Sequence, residues 1–411
     1  MTTAYKKNNL KILFLSNRGL LPIKDGHTRR SFNILKGLAK DQSVHYLSLY
    51  EESEEIVQSN IKQLESICEK VEFYPAPSKS VSIQMISRLI RSLFSLDPYS
   101  LWRHYSGPFS RRVSELILVN KYDIIHCDIL PLAYTVRKMN GVIRTITNHD
   151  VSYLKCLSIG KQSRNILVKL FLYFEALKLK KLERTVFKQV DFGIVVSEHD
   201  KVILQKLCPE GKFVAIENGV DVKVFQSNNT ETEPEKLIWV GGFDHYPNEQ
   251  GIHYFLENIY PQIKRTIPAV KLDIVGGGVK EKLWKMVQSD QSIKLLGYVD
   301  DPLPFIQRAA VFVVPILSGG GTRLKVLEAM SAGKAIVTTS TGCEGIEGIN
   351  GEHFIVADTP GSFADAVIKV IHEKRLREIL GHNARMLAET KYDWNIIQEK
   401  LNEFYMEAIN G

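Results

Sequence analysis

A glycine-rich turn followed by two cations is the stretch of this sequence best equipped for chemistry. The turn contains Gly319, Gly320 and Gly321, and Arg323 and Lys325 follow at the start of a helical pattern. Helix N-termini carry partial positive charge, so cations there cost up to ~1 kcal/mol. Bare amides, a helix N-terminus and two cations together favour a bound anion such as phosphate. The alternative is a surface turn with solvated cations, which does not explain the three glycines.

The elements on either side of this turn are predicted from hydrophobic spacing. The apolar run 311–314 indicates a buried strand before the turn, and Leu324, Leu327 and Met330 recur on one face of a helix after it. Thr322 is the predicted N-cap of that helix. The unit is therefore a strand, a glycine turn and a helix.

A second unit of this kind opens the chain. The strand predicted at residues 11–16 runs into a loop with Asp25 and Gly26, and a helix is predicted to start near Thr28. Open parallel sheets bind ligands at the carboxyl ends of their strands. We expect the loop with Asp25 and Gly26 to face a ligand-binding cleft. The loop lacks the GxGxxG spacing, which argues against a nicotinamide-type dinucleotide site.

Composition bounds the class of protein. The chain has 411 residues, of which 44% are hydrophobic and 24% charged, and this predicts two to three globular domains. A formal net charge of +7 suits anionic substrates or a membrane surface but is too small to indicate nucleic acid. Five scattered cysteines fit a reducing, cytoplasmic compartment. The first apolar run is too short for a signal peptide, and nothing predicts a membrane span.

Alternating strand and helix patterns predict the fold class α/β, with two tandem Rossmann-like domains facing across a cleft. Residues 1–215 are the predicted first domain, residues 216–390 the predicted second domain, and residues 391–411 a C-terminal helix packing back on the first domain. The polar segment 226–236 is the predicted linker. The predicted strands are residues 11–16, 44–49, 71–74, 124–126, 143–147, 192–196, 237–240, 272–275, 293–296, 311–314, 335–338 and 353–356.

Two stretches of the first half, residues 82–112 and 161–188, combine apolar spacing with many lysines and arginines. A basic amphipathic helix can lie on an anionic lipid surface. The alternative is a helix that faces the core and has a solvated basic face.

The second half of the chain resembles the donor-binding domain of the retaining glycosyltransferase family 4, the group 1 enzymes with the GT-B fold. The matching segments are the NGVD motif that begins at Asn218, the strand that ends in Gly241 and Gly242, the turn with Tyr298 and Val299, and the glycine-rich stretch with its helix. The likeness is weaker over the N-terminal half, where the family binds its acceptor.

The resemblance implies sugar transfer from a nucleoside-diphosphate sugar. Because negative charge develops on the leaving diphosphate, Arg323, Lys325 and the amides of the glycine turn are expected to stabilise it. By resemblance, Glu328 accepts hydrogen bonds from the donor ribose, and His149 lies near the reacting sugar. The segment His126-Cys127-Asp128, at the preceding strand end, is a weaker candidate. The expected donor-binding residues are Asp25, Gly26, Asn218, Gly241, Gly242, Tyr298, Val299, Gly319, Gly320, Gly321 and Thr322.

The sequence departs from the family pattern at two places. The family usually has a glutamate eight positions before Glu328 that contacts the transferred sugar, and this chain has Gly320 there. The loop 243–248 lacks the arginine and lysine that usually hold the diphosphate. We therefore expect Arg323 and Lys325 to act alone as the phosphate clamp.

These features predict a retaining hexosyltransferase that needs no cofactor and no metal, since no Asp-x-Asp motif occurs. Its expected partners are a nucleotide-sugar donor, a glycan or lipid-linked acceptor of envelope or exopolysaccharide synthesis, and an anionic membrane at the inner face of the plasma membrane. Two alternatives stay open. One is a nucleotide-sugar epimerase, and the other is a nucleotide-sugar-binding protein without transfer activity, suggested by Gly320.

Overall fold

The chain folds into two compact units, each built on one parallel sheet. The computed structural model describes residues 9–23, 25–77, 87, 90–92, 95–163, 165–226 and 231–410. The first unit comprises Met1–Ile216 together with Gln398–Gly411, and the second comprises Glu217–Ile397. Both sheets are flanked by helices in alternation with the strands, which confirms the predicted class of two Rossmann-like α/β domains.

The first unit has a seven-stranded sheet in the order β3-β2-β1-β4-β5-β6-β7, with every pair parallel. The central strand β1 is buried over five of its six residues, as a strand covered by helices on both faces requires. β7 was not predicted, because three residues give no periodic signal. The strands are β1 (Lys11–Ser16), β2 (Ser43–Tyr50), β3 (Lys70–Pro75), β4 (Ile124–Cys127), β5 (Ile143–Asn148), β6 (Phe192–Val195) and β7 (Phe213–Ala215).

The described helices of this unit begin with α1, whose N-cap is Asp25. Its start lies two residues before the predicted Thr28, because the Asp25 carboxylate accepts a bond from the Thr28 amide and forms a capping box. The helices are α1 (Gly26–Asp41), α2 (Glu54–Glu65), α3 (Tyr99–His104), α4 (Gly107–Val119), α5 (Ala133–Val136), α6 (Ser152–Gln162), α7 (Ile166–Gln189) and α8 (Glu198–Leu207).

The second unit has a six-stranded parallel sheet in the order β10-β9-β8-β11-β12-β13. Residues Glu233 to Lys236, which we expected within a linker, instead form the first half of β8. They pair with the neighbouring strands β9 and β11, and this pairing outweighs their low strand propensity. The strands are β8 (Glu233–Val240), β9 (Lys271–Val275), β10 (Ile293–Gly297), β11 (Ala309–Val314), β12 (Ala335–Thr338) and β13 (Ile355–Val356).

The core of the second unit surrounds β11, all six of whose residues are buried. The helix that follows the glycine turn, α13, packs beside α15, where the two backbones approach closely. A Cβ atom on Gly381 would lie 2.1 Å from the carbonyl oxygen of Gly333. The helices are α9 (Tyr246–Tyr254), α10 (Tyr260–Thr266), α11 (Glu281–Val287), α12 (Leu303–Arg308), α13 (Leu324–Ser331), α14 (Pro360–His372), α15 (Lys374–Lys391) and α16 (Trp394–Asn410).

The end of α16 belongs to the first unit. Tyr405 is fully buried there, and its hydroxyl is hydrogen-bonded to His126 and lies 3.2 Å from the Thr145 hydroxyl. Residues 398–411 are thus part of the core of the first unit.

The two basic stretches have different outcomes. In the first stretch, residues 82–86, 88–89 and 93–94 lie outside the described residues, and α3 and the first part of α4 form its end. The second stretch, residues 161–188, contains α7 almost entirely. Within the described ranges, no helix combines the length and apolar character needed to cross a bilayer.

A buried carboxyl on α7 supports the loop after β5. Glu183 is fully buried, and it accepts hydrogen bonds from Asn148 Nδ2 at 3.0 Å and from the Ser152 amide at 2.8 Å. Burial raises the pKa of Glu183 to about 7 from its ordinary 4.5. Since the folded pKa lies above the unfolded one, this group destabilises the fold as the pH rises through 7.

Glu183→Gln should remove this pH dependence while the amide oxygen keeps both hydrogen bonds. Between pH 5 and pH 8 the wild type should lose on the order of 3 kcal/mol more unfolding free energy than the variant. Urea denaturation at the two pH values measures the difference. The matched control is Glu198→Gln, on the half-exposed start of α8. If the unfolding free energy of wild type and of Glu183→Gln depended on pH to the same extent, ionisation of Glu183 would not destabilise the folded state.

Candidate active site

The glycine turn follows β11 and requires glycine at two of its positions. Gly319 and Gly321 have φ angles of +109° and +76°, a region that side-chain-bearing residues rarely adopt. The helix α13 begins at Leu324, and its N-cap is Arg323 rather than the predicted Thr322. The reason is that the extended backbone of the turn continues through Arg323, which places this cation just ahead of the helix.

Arg323 folds back over the turn that precedes it. Its Nη1 atom donates to the carbonyl oxygens of Gly320 and Gly321, the latter at 2.9 Å. A guanidinium has five donors, so these bonds use only a part of its capacity. Arg323 therefore holds the shape of the turn and places a positive charge directly on it.

Lys325 lies in the first turn of α13 and points at the end of β8. Its Nζ atom donates to the Val240 carbonyl at 2.9 Å and to Asn248 Oδ1 at 2.8 Å, and it stands 4.9 Å from the Trp239 ring centroid. A Cβ atom on Gly241 would be 2.9 Å from Nζ. Only glycine at position 241 therefore leaves room for the ammonium group.

The charge on this buried lysine is incompletely compensated. Burial, followed by repulsion from Arg323, lowers the pKa of Lys325 to about 7, although Glu328 acts in the opposite direction. The two hydrogen-bond partners of Nζ, a carbonyl and an amide oxygen, are neutral. An incoming anion would supply the charge that this lysine needs, so the site is electrostatically suited to phosphate.

Other predicted donor residues lie around this cluster. Glu328 is buried and stands three residues after Lys325 on α13, which places both on the same side of the helix. Asn218 Nδ2 donates to the carbonyl of Thr322 at 3.3 Å, which ties the NGVD segment to the glycine turn. Asn248 Nδ2 donates to the carbonyl of Gly242 at 2.9 Å.

Tyr298 and Val299 lie apart from these contacts, after β10. The Tyr298 side chain is 74% exposed, while Val299 packs against the hydrophobic core of the unit. An exposed ring beside a half-buried valine offers a flat apolar surface, and a role in donor binding remains a prediction for both.

In the first unit, Asp128 and His149 follow the adjacent parallel strands β4 and β5, so they lie at the same edge of the sheet. His149 Nε2 is 2.6 Å from the main-chain carbonyl of Asp128 and 3.5 Å from its Oδ1 atom. The helix α1 adds His27, with Nε2 3.4 Å from Oδ2, and Ser31, which donates to Oδ2 at 2.5 Å. The two imidazole centroids are 4.1 Å apart.

The cluster contains an ionised carboxylate, Asp128, beside the imidazole rings of His27 and His149. Burial opposes the ionisation of Asp128, but hydrogen bonds from His149 and His27 hold its pKa well below the ordinary value. Burial lowers the pKa of His27 to about 4, so this ring is neutral near pH 7. Since His149 Nε2 donates to the Asp128 carbonyl, Nδ1 is the ring nitrogen that can accept a hydrogen bond from a sugar hydroxyl.

Two of these residues were missed by the sequence reasoning, and Asp128 was only a secondary candidate. His27 and Ser31 belong to α1, and nothing in their spacing links them to residues about 100 positions away. The strand-end position was the available signal for Asp128. The ligand atoms of His27, Asp128 and His149 lie within 4.8 Å of one another, so these three described residues could also hold a metal ion.

The structure gives Asp25 and Gly26 a local role. The Asp25 carboxylate accepts from the Thr28 amide at 2.8 Å and pairs with Arg18 at 2.9 Å, and Gly26 is the first residue of α1. These contacts explain an aspartate at this position without a ligand, and donor binding by the two residues remains a prediction.

The fold and the site define the class of protein. A crystal structure of Anabaena HepE in complex with UDP is similar over 97% of this chain and 100% of that chain, with a TM-score of 0.68 and 14% identity, which shows a shared GT-B fold. The Glycosyltransferase Family 4 model matches residues 69–224, and the Glycosyl transferases group 1 model matches residues 234–373. The chain therefore belongs to this glycosyltransferase family and is a transferase enzyme.

Two bacterial proteins are similar to more than half of this chain. An uncharacterised 44.6 kDa protein in the cps region of Klebsiella pneumoniae is 25% identical, over 83% of this chain and 86% of the relative. The capsular polysaccharide biosynthesis glycosyltransferase CapM of Staphylococcus aureus is 27% identical, over 58% of this chain and 66% of the relative.

Asp128→Asn should lower kcat for sugar transfer by roughly 10²-fold, because the amide cannot stabilise positive charge on His149. His149→Ala should lose a similar factor, and the double variant should lose little more than either single variant, since the two residues act as one unit. Steady-state kinetics across pH measures both the loss and the altered pH profile. Losses that multiply in the double variant would mean that Asp128 acts independently of His149.

Proposed function

We propose that this protein is a retaining, metal-independent glycosyltransferase that moves a hexose from a nucleoside-diphosphate sugar to a glycan or lipid-linked acceptor. The observation that carries the proposal is the buried ammonium of Lys325 beside Arg323 and the glycine turn. HepE was crystallised with UDP, and CapM is named for capsular polysaccharide synthesis. The first supports a nucleotide-sugar donor, and the second supports a role in polysaccharide synthesis.

The chemistry of the leaving group explains why two cations are needed. When the bond to the anomeric carbon breaks, a nucleoside diphosphate departs. The phosphate oxygen that was bonded to that carbon then gains negative charge. Arg323 and Lys325 are held in place before the reaction, so they stabilise this charge without reorganising. In most relatives a second loop shares the work, but here the loop 243–248 supplies Asn248, which positions Lys325 through a hydrogen bond.

Metal independence follows from the same cations in this proposal. A divalent ion bound to a diphosphate would be repelled by Arg323 and Lys325, and the chain has no Asp-x-Asp motif to hold it. The cluster of His27, Asp128 and His149 is the described group that could bind an ion instead. Transfer that survives chelation with EDTA would exclude that use of the cluster.

Binding of a nucleoside diphosphate should favour the protonated form of Lys325. Its pKa of about 7 in the free protein should rise when a diphosphate binds, so UDP binding at pH 8 should take up close to one proton, and affinity should fall as the pH rises from 7 to 9. Isothermal titration in buffers of different ionisation enthalpy measures this uptake. Lys325→Arg, which cannot lose its proton, is the control and should bind UDP without uptake. Equal uptake by both proteins would locate the proton elsewhere.

A panel of UDP-, GDP- and ADP-linked sugars tests the function directly. The cognate donor should raise the melting temperature and release its nucleoside diphosphate in the presence of an acceptor, and NMR of the product should show a retained anomeric configuration. Arg323→Ala and Glu328→Ala should each lower turnover by at least about 10²-fold with little change in melting temperature. Arg375→Ala, an exposed arginine on α15, is the matched control. Near-full turnover in Arg323→Ala would overturn the clamp.

A binding protein without transfer activity is the second candidate. It is favoured by Gly320, which stands where the family has a carboxylate toward the sugar and here offers its carbonyl to Arg323. Stabilisation by a nucleotide-sugar without any consumption would support this candidate. Isomerised donor in the absence of acceptor would instead indicate the epimerase.

A further inference from the structure

The outward face of α7 changes character halfway along the helix. Ile166, Leu170, Tyr173 and Leu177 recur at helical spacing and are between 49% and 63% exposed. The same stripe then continues with cations. The exposed basic residues of this second half are Lys180, Lys181, Arg184 and Lys188. One face of one helix is therefore apolar near its beginning and basic near its end.

The exposed apolar residues form a patch rather than isolated side chains. Single exposed hydrophobic residues are normal on protein surfaces, whereas a contiguous group marks an interaction site. Seven of the first twelve residues of α7 are large hydrophobic residues that are at least 43% exposed. They are Ile166, Leu167, Val168, Leu170, Tyr173, Phe174 and Leu177. We call these seven residues the α7 patch.

The patch is not needed to attach the helix to its own unit. The opposite face of α7 supplies the packing, with Leu179, Leu182 and Val186 buried among others. The two glutamates of the helix, Glu175 and Glu183, also face inward and are buried. The outward face consequently carries no carboxylate of its own helix, and Glu210, after α8, approaches it only at Lys188.

We infer that the α7 patch inserts into the surface of an anionic membrane and that the cations behind it contact the lipid headgroups. Twelve residues of helix span about 18 Å, so an oblique helix can bury its apolar half at the depth of about 5–10 Å typical of interfacial helices. The cations then lie at the level of the phosphates. The helices α6 and α7 pack against each other, and the patch begins directly after Asn165, the N-cap of α7.

Charge favours lipid over a second copy of the chain as the occupant. A second copy seated on this face through the same residues would bring its own row of cations close to Lys181 and Arg184, with no carboxylate on either helix face to compensate. Anionic lipid offers negative charge along the entire basic half and an acyl layer for the apolar half. This inference goes beyond the proposed function, since it concerns attachment and holds for any acceptor.

Co-sedimentation with vesicles tests the inference without donor or acceptor. The full chain should bind vesicles of phosphatidylcholine with 30% phosphatidylglycerol at least tenfold more tightly than pure phosphatidylcholine. Leu170→Ser with Phe174→Ser should weaken this binding at least tenfold. Each cation should contribute about fivefold to vesicle affinity. Lys181→Gln with Arg184→Gln should therefore weaken binding about ten- to thirtyfold and reduce its salt dependence.

Matched controls separate the patch from general surface effects. Leu118→Ser with Val119→Ser changes two side chains on α4 that are 86% and 82% exposed, and it should leave binding unchanged. All variants should keep the wild-type melting temperature and UDP affinity, so a failure of membrane binding is distinguishable from a failure of the donor site. Equal binding to both vesicle types, or equal loss in the α4 control, would overturn the inference. So would a concentration-dependent dimer that the patch variants abolish in the absence of vesicle binding.

Discussion

The burial of one ammonium group organises the glycine turn and its surroundings in the second unit. Lys325 reaches from α13 to the end of β8 and lies over Trp239, with a carbonyl and an amide as hydrogen-bond partners. A buried cation with neutral partners is a source of instability until an anion arrives. The glycine at position 241 leaves space beside the ammonium group, and the side-chain amide of Asn248 accepts a hydrogen bond from it. The neighbouring Arg323 adds to the uncompensated positive charge.

The first unit uses the opposite sign of charge. Here the buried carboxylate of Asp128, after β4, is held ionised by two imidazoles and a serine hydroxyl. One imidazole, His149, follows β5, and the other, His27, lies on α1 together with Ser31. The second unit thus places positive charge in the turn and helix that follow β11, and the first unit places negative charge beside the His149 ring, after β4 and β5. The segments that follow buried parallel strands are where this architecture exposes functional groups.

Elements with strong local signals were predictable, and long-range contacts were not. The strands β1, β11 and β12 carry continuous apolar runs, so their positions followed from the sequence. The strand residues Glu233 to Lys236 look like linker and are ordered only by pairing with neighbours far along the chain. Likewise, glycines and cations revealed the turn before α13, whereas His27 joins Asp128 and His149 only through the tertiary fold.

The helix α7 has two faces with separate tasks. Its inner face carries Glu183, which holds the loop with Asn148 and Ser152 around His149, and its outer face carries the α7 patch. Glu183 lies six residues beyond Leu177, or about 9 Å along the helix axis. A helix anchored in lipid at one end would therefore keep His149 at a constant height above the bilayer. Acceptors would then be selected partly by the distance between their reactive hydroxyl and the lipid headgroups. This selection would depend on the geometry of the helix rather than on contacts with the sugar.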